Sequence, residues 1–193
     1  MVGTWKSLDA MSRLLYLESK ALDELENLSK DKALMADAIP AIWPIDRSRM
    51  RGRLGAFGTR VHPITGRIQG HKGVDMGSPI GTPVYATGDG TVAFDLEGTT
   101  GYGKQVLLNH GFGYKTRYAH LSKIDVVPGQ KVKRGEKIGE VGNTGRAKGA
   151  HLHYEVIYKK LHVDPINYLS RDMSEEEFNK IIESAQYTTF EED

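Results

Sequence analysis

The sequence predicts a mainly β domain, an antiparallel β-sandwich or partly open barrel, with helical extensions at its N- and C-terminal ends. Three observations carry that prediction. Of the 22 glycines in 193 residues, nearly all fall between Gly52 and Gly149, which implies many tight turns and little helix there. Between those glycines lie short runs of alternating apolar and polar residues. At both termini the spacing changes to that of helices, with no Gly or Pro inside the runs. The expected division is residues 1–42 as an N-terminal amphipathic helical region, 43–170 as the β domain and 171–193 as a C-terminal helix and tail.

The N-terminal helix is expected from about Leu8 to Ala38. Leu8, Met11, Leu15, Leu22 and Leu25 follow alternating spacings of three and four, and Leu14, Ala21 and Leu28 widen the stripe. Glu18 takes one seam position, and the run is only about three heptads long. Two readings stand: a short coiled coil through which the chain self-associates, or an amphipathic helix packed on its own domain. Pro40 and Trp43-Pro44 end the helix. Ile39 to Arg51 reads as a linker or lead-in strand, with Arg47, Arg49, Arg51 and Arg53 on a solvated surface.

Within the β domain, strands are expected at Pro83 to Thr87, Gly90 to Asp95, Lys104 to Asn109, Tyr114 to His120, Lys137 to Val141 and His153 to Tyr158. Gly88-Asp89-Gly90, Gly101-Tyr102-Gly103, Gly111-Phe112-Gly113 and Gly142-Asn143-Thr144-Gly145 supply the turns. In the tail, Ser174 and Glu177 form a capping box. Phe178, Ile181, Ile182 and Ala185 then give one apolar face, expected to dock on the β domain.

Composition narrows the function classes. Hydrophobic content of 39% and charged content of 26% describe a folded globular chain. A formal net charge of +1 gives no electrostatic pull toward nucleic acid or a membrane surface. With no cysteine, disulfides, thiolate metal sites and cysteine nucleophiles are all removed, so any zinc must sit on His, Asp or Glu. No apolar run approaches the ~18 residues of a membrane span, and no basic-then-apolar leader opens the chain. The expectation is either a cytoplasmic protein or a soluble piece without its export signal or anchor.

The chemistry concentrates in two segments. In Ala150-His151-Leu152-His153-Tyr154-Glu155-Val156, strand alternation puts His151 and His153 on one face. Far upstream, His71-Lys72-Gly73-Val74-Asp75 offers an imidazole and a carboxylate, and Gly73 permits an irregular backbone that aims both at one point. Taken alone, the upstream segment fits an exposed His71 and an Asp75 capping a turn. Together the two segments make two imidazoles and a carboxylate with room for an open position, a catalytic zinc set. His120, in Tyr118-Ala119-His120-Leu121, is either a hydrogen-bonded bystander or a proton-transfer group beside that set.

Several motifs in a fixed order carry a resemblance: Phe57-Gly58-Thr59-Arg60-Val61-His62-Pro63, His71-x-Gly73-x-Asp75, Gly81-Thr82-Pro83-Val84, Tyr118-Ala119-His120-Leu121, Gly149-Ala150-His151-Leu152-His153-Tyr154-Glu155-Val156 and Asp164-Pro165-Ile166-Asn167-Tyr168-Leu169. From about Trp43 to Leu169 the chain resembles the lysostaphin-type (LytM-domain) zinc metallopeptidases, which implies their duplicated-hybrid-like β fold. The resemblance implies one Zn2+ on His71, Asp75 and His153, with His120 and His151 as the catalytic pair. Which of the two is the general base stays open. Arg60 and His62 match a motif near the substrate groove, His110 a position that is neither ligand nor base, and His162 matches nothing and is expected at the surface.

The implied activity is endopeptidase hydrolysis of the peptide crosslinks or crossbridges of bacterial peptidoglycan, in the cell envelope (periplasmic or extracytoplasmic). An alternative inside the family is a non-catalytic or autoinhibited module that regulates a separate cell-wall amidase. Such modules typically lose metal-site residues, and all five are present here. A biotinyl- or lipoyl-carrier reading of Val126 to Gly135 lacks the Met-Lys pair it needs.

Overall fold

The computed structural model of the chain describes residues 2–52, 54–61, 68–93 and 101–169, with Ser174, Glu176 and Asn179, and the backbone alone at 2–10, 12, 14, 60, 61, 68 and 69. Two compact units result, residues 1–36 and 37–193. The first is made of helix α1 (Val2–Ala38) up to residue 36, and that helix runs without a break for 37 residues. Its stripe of Met11, Leu15, Leu22 and Leu25 is exposed, each residue at 61–62%. No helix among the described residues is long and apolar enough to cross a membrane.

The second unit opens with a segment that differs from its expectation. Residues 39–51 form neither a free linker nor a strand, and their first half, 39–45, packs into the core. Ile45 is fully buried and Ala41 nearly so, because this apolar stretch gains more by burial than a solvated linker could. Its backbone is tied down by Ala41 N–H donating to the Thr87 carbonyl (2.9 Å) and Tyr85 N–H to that of Pro44 (2.8 Å). A 3-10 turn at Arg47–Arg49 follows, capped by the Asp46 carboxylate, which accepts from Ser48 N–H at 2.9 Å. Arg47, Arg49 and Arg51 are exposed, while Arg53 lies outside the described residues.

Eleven strands follow: β1 (Gly58–Val61), β2 (Ile68–His71), β3 (Val74–Gly77), β4 (Pro83–Tyr85), β5 (Gly90–Val92), β6 (Lys104–Gly111), β7 (Tyr114–Ile124), β8 (Lys131–Val132), β9 (Lys137–Val141), β10 (His151–Tyr158) and β11 (Leu161–Val163). β1 and β2 pair with each other. The other nine form one antiparallel sheet ordered β11-β10-β7-β6-β5-β8, with β3 added to β10 and β4 to β9. β7 pairs with β10 up to Ala119, then changes partner to β9 from Leu121. The sheet is therefore open, in line with the partly open β architecture expected. Beyond the single turn α2 (Ile166–Leu169), the expected C-terminal helix with its capping box lies outside the described residues except Ser174, Glu176 and Asn179.

Val74, Met76, Leu108, Tyr118, Leu121, Ile138, Leu152, Tyr154 and Val156 fill the core, each fully buried. A polar thread crosses it. His110 donates Nδ1–H to the Asp89 carbonyl (2.6 Å), and its Nε2 accepts from Thr116 Oγ1 (2.7 Å). Thr116, Tyr118, Thr87 and Tyr154 then continue hydroxyl to hydroxyl at 2.9–3.0 Å. Every polar atom of that thread has a partner, which is the condition for burying it. His110 is a structural residue.

Candidate metal centre

Strand β10 sits between β3 and β7, and its side chains alternate. Leu152, Tyr154 and Val156 enter the core, while His151, His153 and Glu155 lie on the opposite face. The register sets Asp75 of β3 directly across from His153, and Ala119 of β7 on its other side. His71 closes β2, and the two residues Lys72 and Gly73 separate it from β3.

Gly73 serves a purpose different from the one expected. It has no left-handed φ. A Cβ there would lie 2.2 Å from the Tyr154 carbonyl oxygen and 2.9 Å from Glu155 Cγ. The glycine is needed for space, because only a bare backbone lets the His71–Asp75 segment lie this close to β10.

The donor atoms converge. His71 Nε2 is 3.1 Å from Asp75 Oδ1 and 3.2 Å from His153 Nδ1, and His153 Nδ1 is 2.7 Å from the same oxygen. His151 Nε2 stands 3.7 Å from Asp75 Oδ1. The rings of His120 and His151 lie 4.7 Å apart, and that of His120 lies 5.9 Å from His153. His71, His120 and His153 are buried, and His151 and Asp75 are partly exposed. The cluster thus has a buried side and an open one.

Each imidazole has one nitrogen fixed by an acceptor. His71 donates Nδ1–H to the Ala56 carbonyl (2.5 Å), His120 its Nδ1–H to that of Thr144 (2.7 Å) and His151 its Nδ1–H to that of Gly149 (2.8 Å). His153 donates Nε2–H to the Glu155 carboxylate at 3.1 Å. A carbonyl can only accept, so His71, His120 and His151 carry a proton on Nδ1, whereas His153 meets a carboxylate at each nitrogen, Glu155 at Nε2 and Asp75 at Nδ1. The nitrogens left on the cluster side are Nε2 of His71 and His151 and Nδ1 of His153.

His71 Nε2 and His153 Nδ1 both face the Asp75 carboxylate, an arrangement that is stable only with positive charge, protons or a metal ion, among the three. In the metal-free protein protons supply part of it. Burial disfavours the His153 imidazolium, but the hydrogen bonds to Asp75 and Glu155 outweigh it and raise the pKa to about 9. Burial likewise opposes the Asp75 carboxylate, and the hydrogen bonds from His153 and His71 overcome it, holding the carboxyl well below its usual range. Burial lowers the pKa of His120, which keeps it a neutral proton acceptor near pH 7. Two imidazole nitrogens and one carboxylate oxygen form a donor set that fits a divalent zinc ion with positions to spare. Among the described residues, no other group of His, Cys, Asp or Glu does so.

His120 is aimed by its backbone. Its φ is +61°, uncommon for a residue with a side chain, and it sits where β7 bulges and changes partner. Its N–H donates to the Tyr102 carbonyl at 2.9 Å.

Of the remaining expected site residues, Arg60 lies on β1 opposite Gln69, described by its backbone alone. His62 lies outside the described residues. His162, expected at the surface, keeps 29% of its side chain exposed and places Nε2 3.3 Å from Glu155 Oε2. Reasoning from sequence missed Glu155 and Tyr102. Glu155 is wholly buried, and its parity with His151 and His153 was the signal that could have found it.

The sequence model described as Peptidase family M23 matches residues 69–165, half of the chain. The peptidoglycan DD-endopeptidase ShyA of Vibrio cholerae is 49% identical over 117 residues, covering 61% of this chain and 27% of that protein. ShyB of the same organism, also a peptidoglycan DD-endopeptidase, is 40% identical over 148 residues, covering 77% and 33%. The chain therefore spans only about a third or less of these relatives' length. Among solved structures, a zinc-containing peptidase from Vibrio cholerae aligns with a TM-score of 0.60 at 43% identity, covering 65% of this chain and 38% of that one. The catalytic domain of lysostaphin from Staphylococcus simulans aligns with a TM-score of 0.56 at 33% identity, covering 62% and 92%.

Proposed function

Because this chain belongs to peptidase family M23, we propose that it is a zinc-dependent endopeptidase that hydrolyses the peptide crosslinks of bacterial peptidoglycan. The observation that carries the proposal is the convergence of His71 Nε2, Asp75 Oδ1 and His153 Nδ1 within 3.2 Å of one another, with His120 and His151 alongside. The first three would hold the ion; bound there, it would polarise a scissile carbonyl and make a water acidic enough to attack near neutral pH.

The protein's own groups supply the proton transfers. His120 and His151 stand beside the cluster, and their Nδ1–H groups are held by Thr144 and Gly149, which leaves Nε2 of each to exchange protons. One, neutral at Nε2, would take the proton of the attacking water; the other, entering with a proton on Nε2, would steady the developing oxyanion and give that proton to the leaving amine, after which the two exchange a proton to reset. The names of ShyA and ShyB direct the choice of bond to the crosslink between D-amino acids. Such a substrate lies outside the cytoplasmic membrane, so the place of action is the cell envelope.

The test is digestion of purified, crosslinked peptidoglycan, with fragments identified by mass. Crosslinked dimers should fall to monomers, a chelator should stop the reaction, and added zinc should restore it. Persistence of crosslinks with zinc present, or cleavage unaffected by the chelator, refutes the proposal. The exposed stripe of Met11, Leu15, Leu22 and Leu25 on α1 supports self-association with a second copy of the helix. Light scattering of the full chain against a Leu15→Lys, Leu22→Lys variant tests that, and a parent that is monomeric at all concentrations would end it.

A further inference from the structure

Behind the metal ligands lies a second layer that the proposed mechanism does not use. The Glu155 carboxylate is completely buried, accepts three hydrogen bonds and has a fourth nitrogen beside it. Oε1 receives Tyr102 O–H (2.7 Å) and His153 Nε2–H (3.1 Å), while Oε2 faces Arg117 Nε (2.9 Å) and His162 Nε2 (3.3 Å). A buried carboxylate with its ion partner is no cheaper than an apolar pair of the same shape, so stability alone is a weak reason for its presence. Its one contact with the metal cluster is the nitrogen that decides which face His153 turns to Asp75.

Tyr102 completes the arrangement. Its phenol binds Glu155, and its ring lies 5.6 Å from that of His153 with the Arg117 guanidinium 4.5 Å from its centre. Its backbone carbonyl accepts the N–H of His120 at 2.9 Å. One residue therefore touches the support of a ligand through its side chain and the backbone of a proton-transfer histidine through its main chain. The turn that carries it is anchored to the 142–150 loop, where Arg146 N–H donates to the Gly101 carbonyl (2.8 Å) and Lys104 N–H to Thr144 Oγ1 (3.0 Å).

We propose that Glu155 and Tyr102 are positioning residues of the metal centre: Glu155 locks His153 in the tautomer that presents Nδ1 to the ion, and Tyr102 fixes Glu155 while tying it to the strand segment that bears His120. This rests on the metallopeptidase reading above. A purely structural Glu155 would show itself in melting temperature and leave metal affinity alone. In Glu155→Gln, the amide cannot accept from His153 and Tyr102 on one side and from Arg117 on the other, since one of its two polar atoms is now a donor. The tautomer lock is then lost or a donor faces a donor.

The experiment measures the zinc dissociation constant of the full chain by competition with a chromophoric chelator, the visible spectrum of the Co2+-loaded protein, and the melting temperature of the metal-free protein. Glu155→Gln should weaken zinc binding about 10- to 100-fold, the range for loss of such a supporting contact, and shift the Co2+ bands. Tyr102→Phe should weaken binding by a smaller factor. The double variant should lose no more than Glu155→Gln alone, because both act through one carboxylate. If Glu155→Gln fails to fold, Tyr102→Phe decides. Zinc affinity and Co2+ spectrum equal to the parent's in the folded variants overturn the inference while leaving the peptidase reading intact. A parent chain that binds no zinc overturns both.

Discussion

Replacing Gly73 with alanine tests whether the metal centre depends on the close approach of two backbones. The added methyl would sit 2.2 Å from the Tyr154 carbonyl oxygen and 2.9 Å from its carbonyl carbon. A carbon and an oxygen in contact rest about 3.3 Å apart or more, so the 71–75 segment or β10 must move by about 1 Å. β10 cannot yield easily, since Leu152, Tyr154 and Val156 are wholly buried in the core. Overpacking of this kind costs about 1–3 kcal/mol, and each kcal/mol lowers the melting temperature by about 2–4 °C for a domain of this size. The metal centre should suffer more than the fold. Its donors stand 2.7–3.2 Å apart, whereas a working site tolerates ligand distances only within about 0.2 Å. Gly73→Ala should therefore melt several degrees lower without metal and gain far less from added zinc than the parent does. Gly70→Ala, at a position with nothing within 4 Å, is the control for both readings. A Gly73→Ala protein with the parent's melting temperature and zinc affinity would refute the reasoning.

His71→Ala or Asp75→Ala should abolish zinc binding and peptidoglycan hydrolysis together. His120→Ala should keep zinc and lose about 100-fold or more in turnover, the contribution expected of a group that moves a proton; equal zinc loss in all three variants counts against this division of roles. A methyl at Gly142 would meet Ser122 N at 2.3 Å and the His120 carbonyl at 2.7 Å, so Gly142→Ala should displace His120 and lower turnover while zinc affinity, measured by competition, holds. Burial lowers the pKa of His110 below its unfolded value of about 6.5. The unfolded chain therefore takes up a proton first as pH falls, and folding stability should drop by up to about 1.4 kcal/mol per pH unit below that point. Denaturant unfolding of the parent and of His110→Gln between pH about 7 and about 5 should show a shallower slope in the variant.

Much of the site was legible because strand alternation is a strong constraint. Once the 151–158 run reads as a strand, His151 and His153 must share a face, and only an upstream carboxylate and imidazole can complete a metal set in a chain without cysteine. The alternating strands were legible for the same reason, β9 to its ends and β6, β7 and β10 within a few residues. β1, β2, β3, β8 and β11 were not, being two to four residues long and defined by their partners rather than by any pattern of their own. Gly73 was read for its dihedral freedom when its bare Cα was what mattered, since a clash with a strand 80 positions away leaves no local trace. Glu155 was hidden differently. A polar residue alternating with apolar ones reads as the solvent face of a half-buried strand, yet β10 is buried on both sides over most of its length. A strand whose second face is polar and still buried must find a partner for each polar atom on it. Here those partners are Asp75, Tyr102 and Arg117, and the hydrogen bonds on that one face tie the His71–Asp75–His153 cluster to the layer behind it.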